Sequence, residues 1–458
     1  MSFEKMISYF EQGALRPKEY EAYYETKSRL DALGISLPPK ARVLEMQAPF
    51  AKMAIDVLTE VLIPTEYVVA EDGHDDDIEL LSKTWQKNNL DSQFNLAASE
   101  SLASGSVYWI VAPPDETHEF ATVRAVDNRH ARVRVDYKGD VVEGIAVYRL
   151  PDGAKGATYY TTEGVSFYAL SGSTWYDTGQ GRVDTWGPSI VPMFNKARLK
   201  DRYGRSDLAE LRTVIDAASR TLTNVQVFQE VSAMPLRVLS GDGAAEALAQ
   251  YPDVMSAYMG KMLAAPDGTS ISQVSGGNLD PFLNTYKTYA LQISAMTGIP
   301  PSMMGVAADN NPTSADALRV AKDRLISRAE NKQRQFSDAM EQVARLVIAM
   351  NGRPTDGLET LELMWRDAAS PSRSAMMATA LQAQSQGVIS DSTARTFLGL
   401  SPELLKKEDD KSDDVARMSG MTMARASRPS LDVQDPTAAR QVQAETNPTS
   451  ATVSKDES

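Results

Sequence analysis

The chain has 458 residues, with 47 lysines and arginines against 61 aspartates and glutamates, a formal net charge of −14. Length beyond roughly 250–300 residues argues for several domains, and 42% hydrophobic content supplies ample core. The absence of cysteine excludes disulfides, thiolate metal sites and thiol nucleophiles, three histidines leave little room for imidazole chemistry, and the acidic balance argues against a protein that grips nucleic acid by neutralising phosphates.

Residues 1–35 alternate tyrosine, glutamate and lysine and predict peripheral helix. Charges run through the first dozen positions with no apolar stretch, so no secretory signal is expected. Over 41–60 the apolar positions Val43, Met46, Phe50, Met53, Ile55, Val57 and Leu58 recur at roughly helical spacing, with Pro64 closing the element. Asp75, Asp76 and Asp77 precede a second amphipathic helix, and 90–103 gives a third. From 106 to 193 the period shortens. SVYWIVAP, FATVRAV, ARVRVDY, VVEGIAVYRL, ATYYTT, VSFYAL, STWYDTG and SIVPMF are short β-branched or aromatic runs punctuated by Gly, Pro and Asp. They predict an antiparallel, β-rich subdomain, with turns at Lys138-Gly139-Asp140 and Pro151-Asp152-Gly153.

After Gly204 the chain turns helical again. Leu208, Leu211, Ile215, Ala218, Leu222 and Val225 follow spacings of three and four, a heptad-type seam on a helix over 206–233 that Pro235 ends. Strand candidates PLRVLS, GKMLAA and SISQVS follow around a short helix. Asp280-Pro281 is an N-cap followed by proline at the first helical position, and Phe282, Tyr286, Tyr289, Ile293 and Met296 continue a second such helix. Gly298 stops it, and Pro300-Pro301 prevents resumption. The uncharged run 288–308 is interrupted by these same residues, so no membrane span is expected and a soluble intracellular protein is. A capping-box start at Thr313-x-x-Asp316 opens a long helix to about Met350, with Leu318, Leu325, Phe336, Met340, Val343, Val347 and Met350 inward. A last helical block spans 371–400, and 406–458, rich in Ser, Thr, Asp, Ala and Pro, is expected to be disordered.

The candidate chemistry is thin. Gly241-Asp242-Gly243-Ala244-Ala245-Glu246 imitates a dinucleotide-binding turn, but Glu246 puts a carboxylate where helix and sheet must approach and no parallel βαβ unit follows. His74 with Asp75, Asp76 and Asp77 is a poor metal cluster, because consecutive helical residues point apart and acids at a helix start answer its dipole. Walker A, H-E-x-x-H and G-x-S-x-G are absent. Arg319, Lys322, Arg324, Arg328, Lys332 and Arg334 wind around the long helix among Asp323 and Glu330, which favours a solvated or intersubunit salt-bridged helix over a DNA-binding stripe. No catalytic, metal or cofactor site is expected, and no enzymatic activity.

Three stretches carry a resemblance. WQKNNLDSQFNLAASESLASGSVYWIV leads from Asn88-x-Leu90-Asp91 through a helix into Gly105-Ser106 before a strand. VPMFNKARLKDRYGRSDLAELRTVIDAASRTLTNVQVFQEVSAMPLRVLSG has a proline-and-asparagine strand end, a Y-G-x-S helix start and a long helix closed by proline. TGIPPSMMGVAADNNPTSADALRVAKDRLISRAENKQRQF runs from G-I-P-P through N-P-x-S-A-x-A-L into a charged helix. In series these resemble the portal proteins of tailed bacteriophages, the siphophage-type head-to-tail connector family.

The resemblance implies an α+β portal fold: a wing over 1–205, a stem helix over 206–233, a small α/β clip over 234–279, a second stem helix over 280–298 and a tunnel loop over 299–311. The wing's long helix would cover 312–369, a helical crown 370–405 and a disordered tail 406–458. It further implies a ring, typically of twelve copies, at one capsid vertex, through which double-stranded DNA is packaged and ejected. The implied partners are the terminase large subunit, major capsid and scaffolding proteins and a head-to-tail adaptor. No membrane contact or cofactor is implied, and the chain would reside in the virion and, during assembly, in the host cytoplasm. By the same resemblance Met303, Met304, Asn310 and Asn311 would face DNA. Leu208, Leu211, Ile215, Leu222, Val225, Tyr286, Tyr289 and Ile293 would form the stem seams, each facing a neighbouring helix rather than a deep core. Two other readings stand beside it: an oligomeric structural or adaptor protein without a conduit, and a hydrolase or transferase with a carboxylate pair hidden in the β-rich subdomain.

Overall fold

A computed structural model describes residues 2–13, 17–31, 39–71, 73–184, 186–233, 237–240, 270–273, 278–306, 315–369 and 381–386. The chain divides into two compact units, 1–370 and 371–458. In the second, 381–385 are helical; the rest of the expected helical block and the tail lie outside the described residues.

The first unit mixes helices and antiparallel sheets. Helix α1 (Phe3–Gly13) buries Phe3, Met6, Ile7 and Phe10, an i, i+3, i+4, i+7 face. That face packs on Ile145, Ala157 and Tyr159, and Phe3 stacks on Tyr168 with ring centroids 3.6 Å apart. Helix α2 (Pro17–Tyr24) docks by its tyrosines: Tyr23 donates to Asp216 at 2.8 Å and Tyr24 to Asp56 at 2.7 Å.

The helix expected over 41–60 is shorter. A 3-10 turn covers Pro39–Leu44, and α3 (Phe50–Thr59) begins only after Pro49. Val43 is 87% exposed and Met46 is also exposed. The intervening backbone has found partners elsewhere: the amides of Met46 and Ala48 donate to the hydroxyls of Thr223 and Ser219. Those two residues lie one turn apart on a later helix, so the segment is held extended by a distant element rather than by its own periodicity.

Strand β1 (Pro64–Val68) pairs antiparallel with the chain's late strand β12 (Glu362–Trp365). Helices α4 (Asp75–Lys87) and α5 (Leu90–Ser104) follow. Helix α5 buries Leu90, Phe94, Ala97, Ala98, Ser101 and Leu102, and Gly105 ends it in the left-handed region at φ 102°. The β-rich region then forms two antiparallel sheets, in the expected order. Strands β2 (Ser106–Ala112), β3 (Thr122–Asp127) and β9 (Ile190–Phe194) make a three-stranded sheet in the order β3-β2-β9. A five-stranded meander comprises β4 (Ala131–Val135), β5 (Val141–Arg149), β6 (Lys155–Thr161), β7 (Gly164–Ser171) and β8 (Thr174–Val183). Asp136 closes the β4–β5 turn by accepting from the amides of Lys138, Gly139 and Asp140, as its turn chemistry predicts.

The outer edge of β3 is closed by side chains. Asn88 accepts from the Val123 amide and donates to the Ala121 carbonyl, while Gln93 accepts from the Ala125 amide. An edge that would otherwise invite another strand is thereby blunted.

Helices α6 (Leu208–Ala233) and α7 (Asp280–Thr297) lie antiparallel, and strands β10 (Arg237–Ser240) and β11 (Ser270–Gln273) pair at the far end. Pro281 sits in the first turn of α7 and Gly298 caps it at φ 76°. Residues 241–269, which include the Gly241–Gly243 turn, lie outside the described residues. Helix α8 (Ala315–Met350) includes Leu318 and brings Leu325, Phe336, Met340, Val343, Val347 and Met350 into the main core; the expected cap at Thr313 falls outside the described residues. Strands β1 and β12 are tied to α8 by Tyr67 on the Met340 carbonyl and Trp365 on Ser337. The main core joins helices α3 to α8 with one face of the three-stranded sheet.

Candidate functional site

The most connected polar constellation lies where the α6–α7 hairpin meets the rest of the unit. Asp207 stands just before α6, Thr297 ends α7, Asn195 follows β9, and Arg328 and Lys332 lie one turn apart on α8. Arg328 binds Asp207 through one nitrogen and donates through another to the Thr297 carbonyl at 2.8 Å. Lys332 lies 3.5 Å from the second Asp207 oxygen and donates to Asn195. Asn195 in turn donates to Asp207 at 2.9 Å and to the Arg205 carbonyl at 2.8 Å. One arginine thus bridges the start of one hairpin helix and the end of the other, which fixes the base of the hairpin.

The site is dry: the side chains of Asp207 and Lys332 are 9% and 8% exposed. Burial pushes the Asp207 carboxyl up, but the charges of Arg328 and Lys332 and the bonds from Asn195 and Arg328 outweigh it and hold the group below the ordinary range. Burial pushes the Lys332 amine down; Arg328 adds to that and Asp207 opposes it. With one anion between two cations, Arg328 is the satisfied partner and Lys332 the surplus charge.

Beneath this hub two backbones cross. Gly105 and Gly204 both have positive φ, and a Cβ on Gly204 would lie 1.8 Å from the Gly105 carbonyl oxygen. The crossing is held by Asn195 N–H on the Gly105 carbonyl at 2.9 Å and Arg205 N–H on the Asn195 carbonyl at 2.8 Å, with Ser206 bonded to the Ala103 carbonyl.

The sequence of this chain matches a family model, "Phage portal protein, SPP1 Gp6-like", over residues 11–403. The chain belongs to that portal family. It is 28% identical to the portal protein of Mycobacterium phage D29 over 417 residues, covering 87% of this chain and 85% of that one. It is 29% identical to the portal protein of Mycobacterium phage L5 over 422 residues, with the same coverage. Among solved structures, a chain from the virion of a native gene transfer agent particle aligns at 14% identity with a TM-score of 0.46, over 84% of this chain and 99% of its own. A chain from the neck of a native particle computed with C12 symmetry gives 15%, 0.44, 83% and 99%.

The portal motifs seen in the sequence converge on this hub. Asn195 is the strand-end asparagine, and Gly204 and Ser206 belong to the Y-G-x-S helix start. Gly105-Ser106 is the glycine-serine before the first strand of the sheet. Asp207, Arg328 and Lys332 carried no site prediction; the four-residue spacing of the two cations was the available signal, and it was read as a solvated or intersubunit salt-bridged face. Arg334 fits that reading, exposed and 4.0 Å from Glu330, whereas Arg328 and Lys332 turn inward.

The residues expected to form the helical seams pack within the chain. Leu208, Leu211, Ile215 and Ala218 are buried in the chain's own main core, with Leu222 half-buried against it and Val225 buried. On α7, Ile293 is buried in the same core and Tyr286 and Tyr289 pack on it, Tyr286 stacking on Phe50 at 5.2 Å. A three-four seam has the same signature whether its partner is another copy or the same chain, and here helices α3 and α7 supply the partner. Ile215→Val is therefore expected to cost about 0.5–1.5 kcal/mol in urea unfolding while leaving subunit number unchanged. Altered assembly at unchanged stability would return the seam to an interface between copies.

Two of the four residues expected to face DNA, Met303 and Met304, lie in the described structure. Pro301–Met304 is a 3-10 turn after α7; Met304 is 2% exposed within the main core, and Met303 is half-buried against it. Two apolar side chains after a double proline found the nearest core, and Ile299 is buried beside them. Asn310 and Asn311 lie outside the described residues.

No other chemistry gathers among the described residues. Each histidine bonds an aspartate three positions away: His74 with Asp77, His118 with Asp115 and His130 with Asp127. Asp77 also accepts from Arg353 at 2.9 Å. Among the described residues no three His, Cys, Asp or Glu side chains converge as metal ligands, and no helix is long and apolar enough to cross a membrane. In the β-rich region the buried acids Glu143 and Asp184 are each bound by an arginine, Arg134 and Arg182.

Proposed function

We propose that this portal protein assembles as a closed ring, typically of twelve copies, at one vertex of the capsid, and serves as the conduit through which double-stranded DNA is packaged and later ejected. Family membership over 11–403 carries this reading. Helices α6 and α7 act as the stem, and 234–279 as the clip that meets the terminase large subunit and then the head-to-tail adaptor. Residues 1–205 and 312–369 form the wing, in contact with capsid and scaffolding proteins, and 370–405 the crown. The chain itself is structural and non-enzymatic, and the energy for DNA movement comes from the terminase. It works in the virion after assembly in the host cytoplasm.

Two physical features support the reading. The hairpin's base is clamped by Arg328 between Asp207 and Thr297, so load along the stem reaches the wing through charge-assisted bonds. A ring of chains each at −14 is strongly anionic. An acidic wall repels duplex DNA over about one Debye length, roughly 8 Å at physiological salt, which favours sliding over gripping. With Met304 inside the core, DNA contact by the loop after α7 is assigned to Asn310 and Asn311. Native mass measurement tests the assembly: twelve chains of 50.0 kDa give roughly 600 kDa, and a species that stays at the mass of one chain in the presence of capsid and scaffold would overturn the ring.

A further inference from the structure

One groove and one loop of this unit are complementary and lie on opposite edges of the three-stranded sheet. The groove, of about 570 Å³, runs between α3, α5 and the β3 edge. Asp56, Glu60, Glu100 and Asp127 line it, and no lysine or arginine does. Lys52 answers Asp56 at 2.8 Å, and Arg129 is divided between Asp127 and Glu21. Glu60 and Glu100 have no ion pair among the described residues. Burial pushes the Glu100 carboxyl above its ordinary range; the Ser104 hydroxyl and the Arg129 charge oppose this, and Asp127 and Glu21 add to it. Leu96, exposed although it sits on α5 at the groove wall, gives the site an apolar contact.

The loop follows β9, the opposite edge strand, and is anchored to α8 by the Lys196 amide on Gln335. Leu199 projects fully exposed between Arg198 and Lys200. Neither cation has a carboxylate partner among the described residues. Arg202, by contrast, is bound to the Asp136 carbonyl and holds the loop's far end in place. An apolar knob between two free cations matches an acidic groove with an apolar wall. Strand addition is not the available mode at that edge, because Asn88 and Gln93 already occupy the outward groups of β3.

We propose that the Arg198-Leu199-Lys200 loop of one copy inserts into the Glu60–Glu100 groove of the next, forming a head-to-tail interface between neighbouring portal subunits. The two surfaces differ and lie at opposite edges, so each copy offers one of each, and repetition by rotation closes a ring rather than a two-fold dimer. The inference rests on the ring proposed above and adds which surfaces meet.

The cysteine-free chain allows a direct test. In the full-length protein carrying both Leu96→Cys and Leu199→Cys, oxidation with diamide under ring-forming conditions should give a ladder of disulfide-linked oligomers on a non-reducing gel. Each single variant should remain at the mass of one chain. Glu60→Lys and Lys200→Glu should each raise the concentration needed for half-assembly at least tenfold, and the combined charge swap should recover most of it. Double-cysteine rings that run as single chains would overturn the interface while leaving the ring intact. A parent chain that forms no rings would overturn the ring reading and this interface with it.

Discussion

Asp207→Ala is expected to destabilise the chain by about 3–5 kcal/mol, the loss typical when one member of a buried ion pair is removed and the opposite charge stays behind. Arg328 and Lys332 would then face each other without an anion, and the amide of Asn195 would lose one of its two acceptors. Lys332→Met should behave very differently. It removes the surplus cation, leaves the Asp207–Arg328 pair and fills the space with an apolar chain of similar length. The main loss is the Lys332 bond to Asn195, worth about 1–2 kcal/mol. Urea unfolding of both variants, followed by tryptophan fluorescence, separates the two assignments: equal losses would mean that Lys332, not Arg328, is the partner that Asp207 serves. The pH dependence has a definite sign. The Asp207 carboxyl is held below its ordinary value in the folded chain, so its contribution is complete above the unfolded value of about 3.9 and is lost as pH falls through the lower folded value. The gap between parent and Asp207→Ala should be full at about pH 5 and narrow in stronger acid as Asp207 is protonated.

Gly204→Ala carries the second large effect. Its Cβ would sit 1.8 Å from the Gly105 carbonyl oxygen, at a φ of +81°. The added Cβ is fixed to its own backbone and meets a backbone carbonyl, so no side chain can swing away, and relief must come from separating two segments that the bonds of Asn195 and Arg205 hold together. A left-handed non-glycine residue costs about 1–3 kcal/mol, and forced overpacking about 1–3 kcal/mol more. Gly153→Ala is the matched control: its φ is +86° but nothing lies within 4 Å of the added carbon, so it bears only the conformational part. Soluble yield and urea midpoint should fall much further for Gly204→Ala. Equal effects would show that the crossing is looser than its geometry.

Local pattern made most elements legible. The β-branched and aromatic runs from 106 to 193 became eight antiparallel strands because alternation and turn residues act within a few positions. The three-four spacing on α6, α7 and α8 likewise gave their extents to within a few residues. The 41–60 helix was over-extended because its first half is claimed by Ser219 and Thr223, far along the chain. A helical spacing of Val43 and Met46 holds no information about hydroxyls 171 and 177 positions away.

The site was less legible for the same reason. Asn195, Gly105, Gly204 and Ser206 were visible as motif positions but without a cause; the cause is one backbone crossing beneath one buried aspartate. The partners of Asp207 come from a helix more than a hundred residues later, and a cation turned inward looks in sequence like one turned outward. Met303 and Met304 were expected at DNA from the resemblance alone; in the structure they lie in or against the core, which apolar side chains beside it enter at little cost. The seam was read as facing a neighbouring helix, and within the chain α3 and α7 fill that place; three-four periodicity records that a face is buried and not by what.

Electron microscopy of the purified full-length chain, with capsid and scaffold present, tests the ring most directly. Top views should show closed, roughly twelve-fold particles with a central hole wide enough for duplex DNA. Compact particles without a hole under those conditions would contradict the conduit.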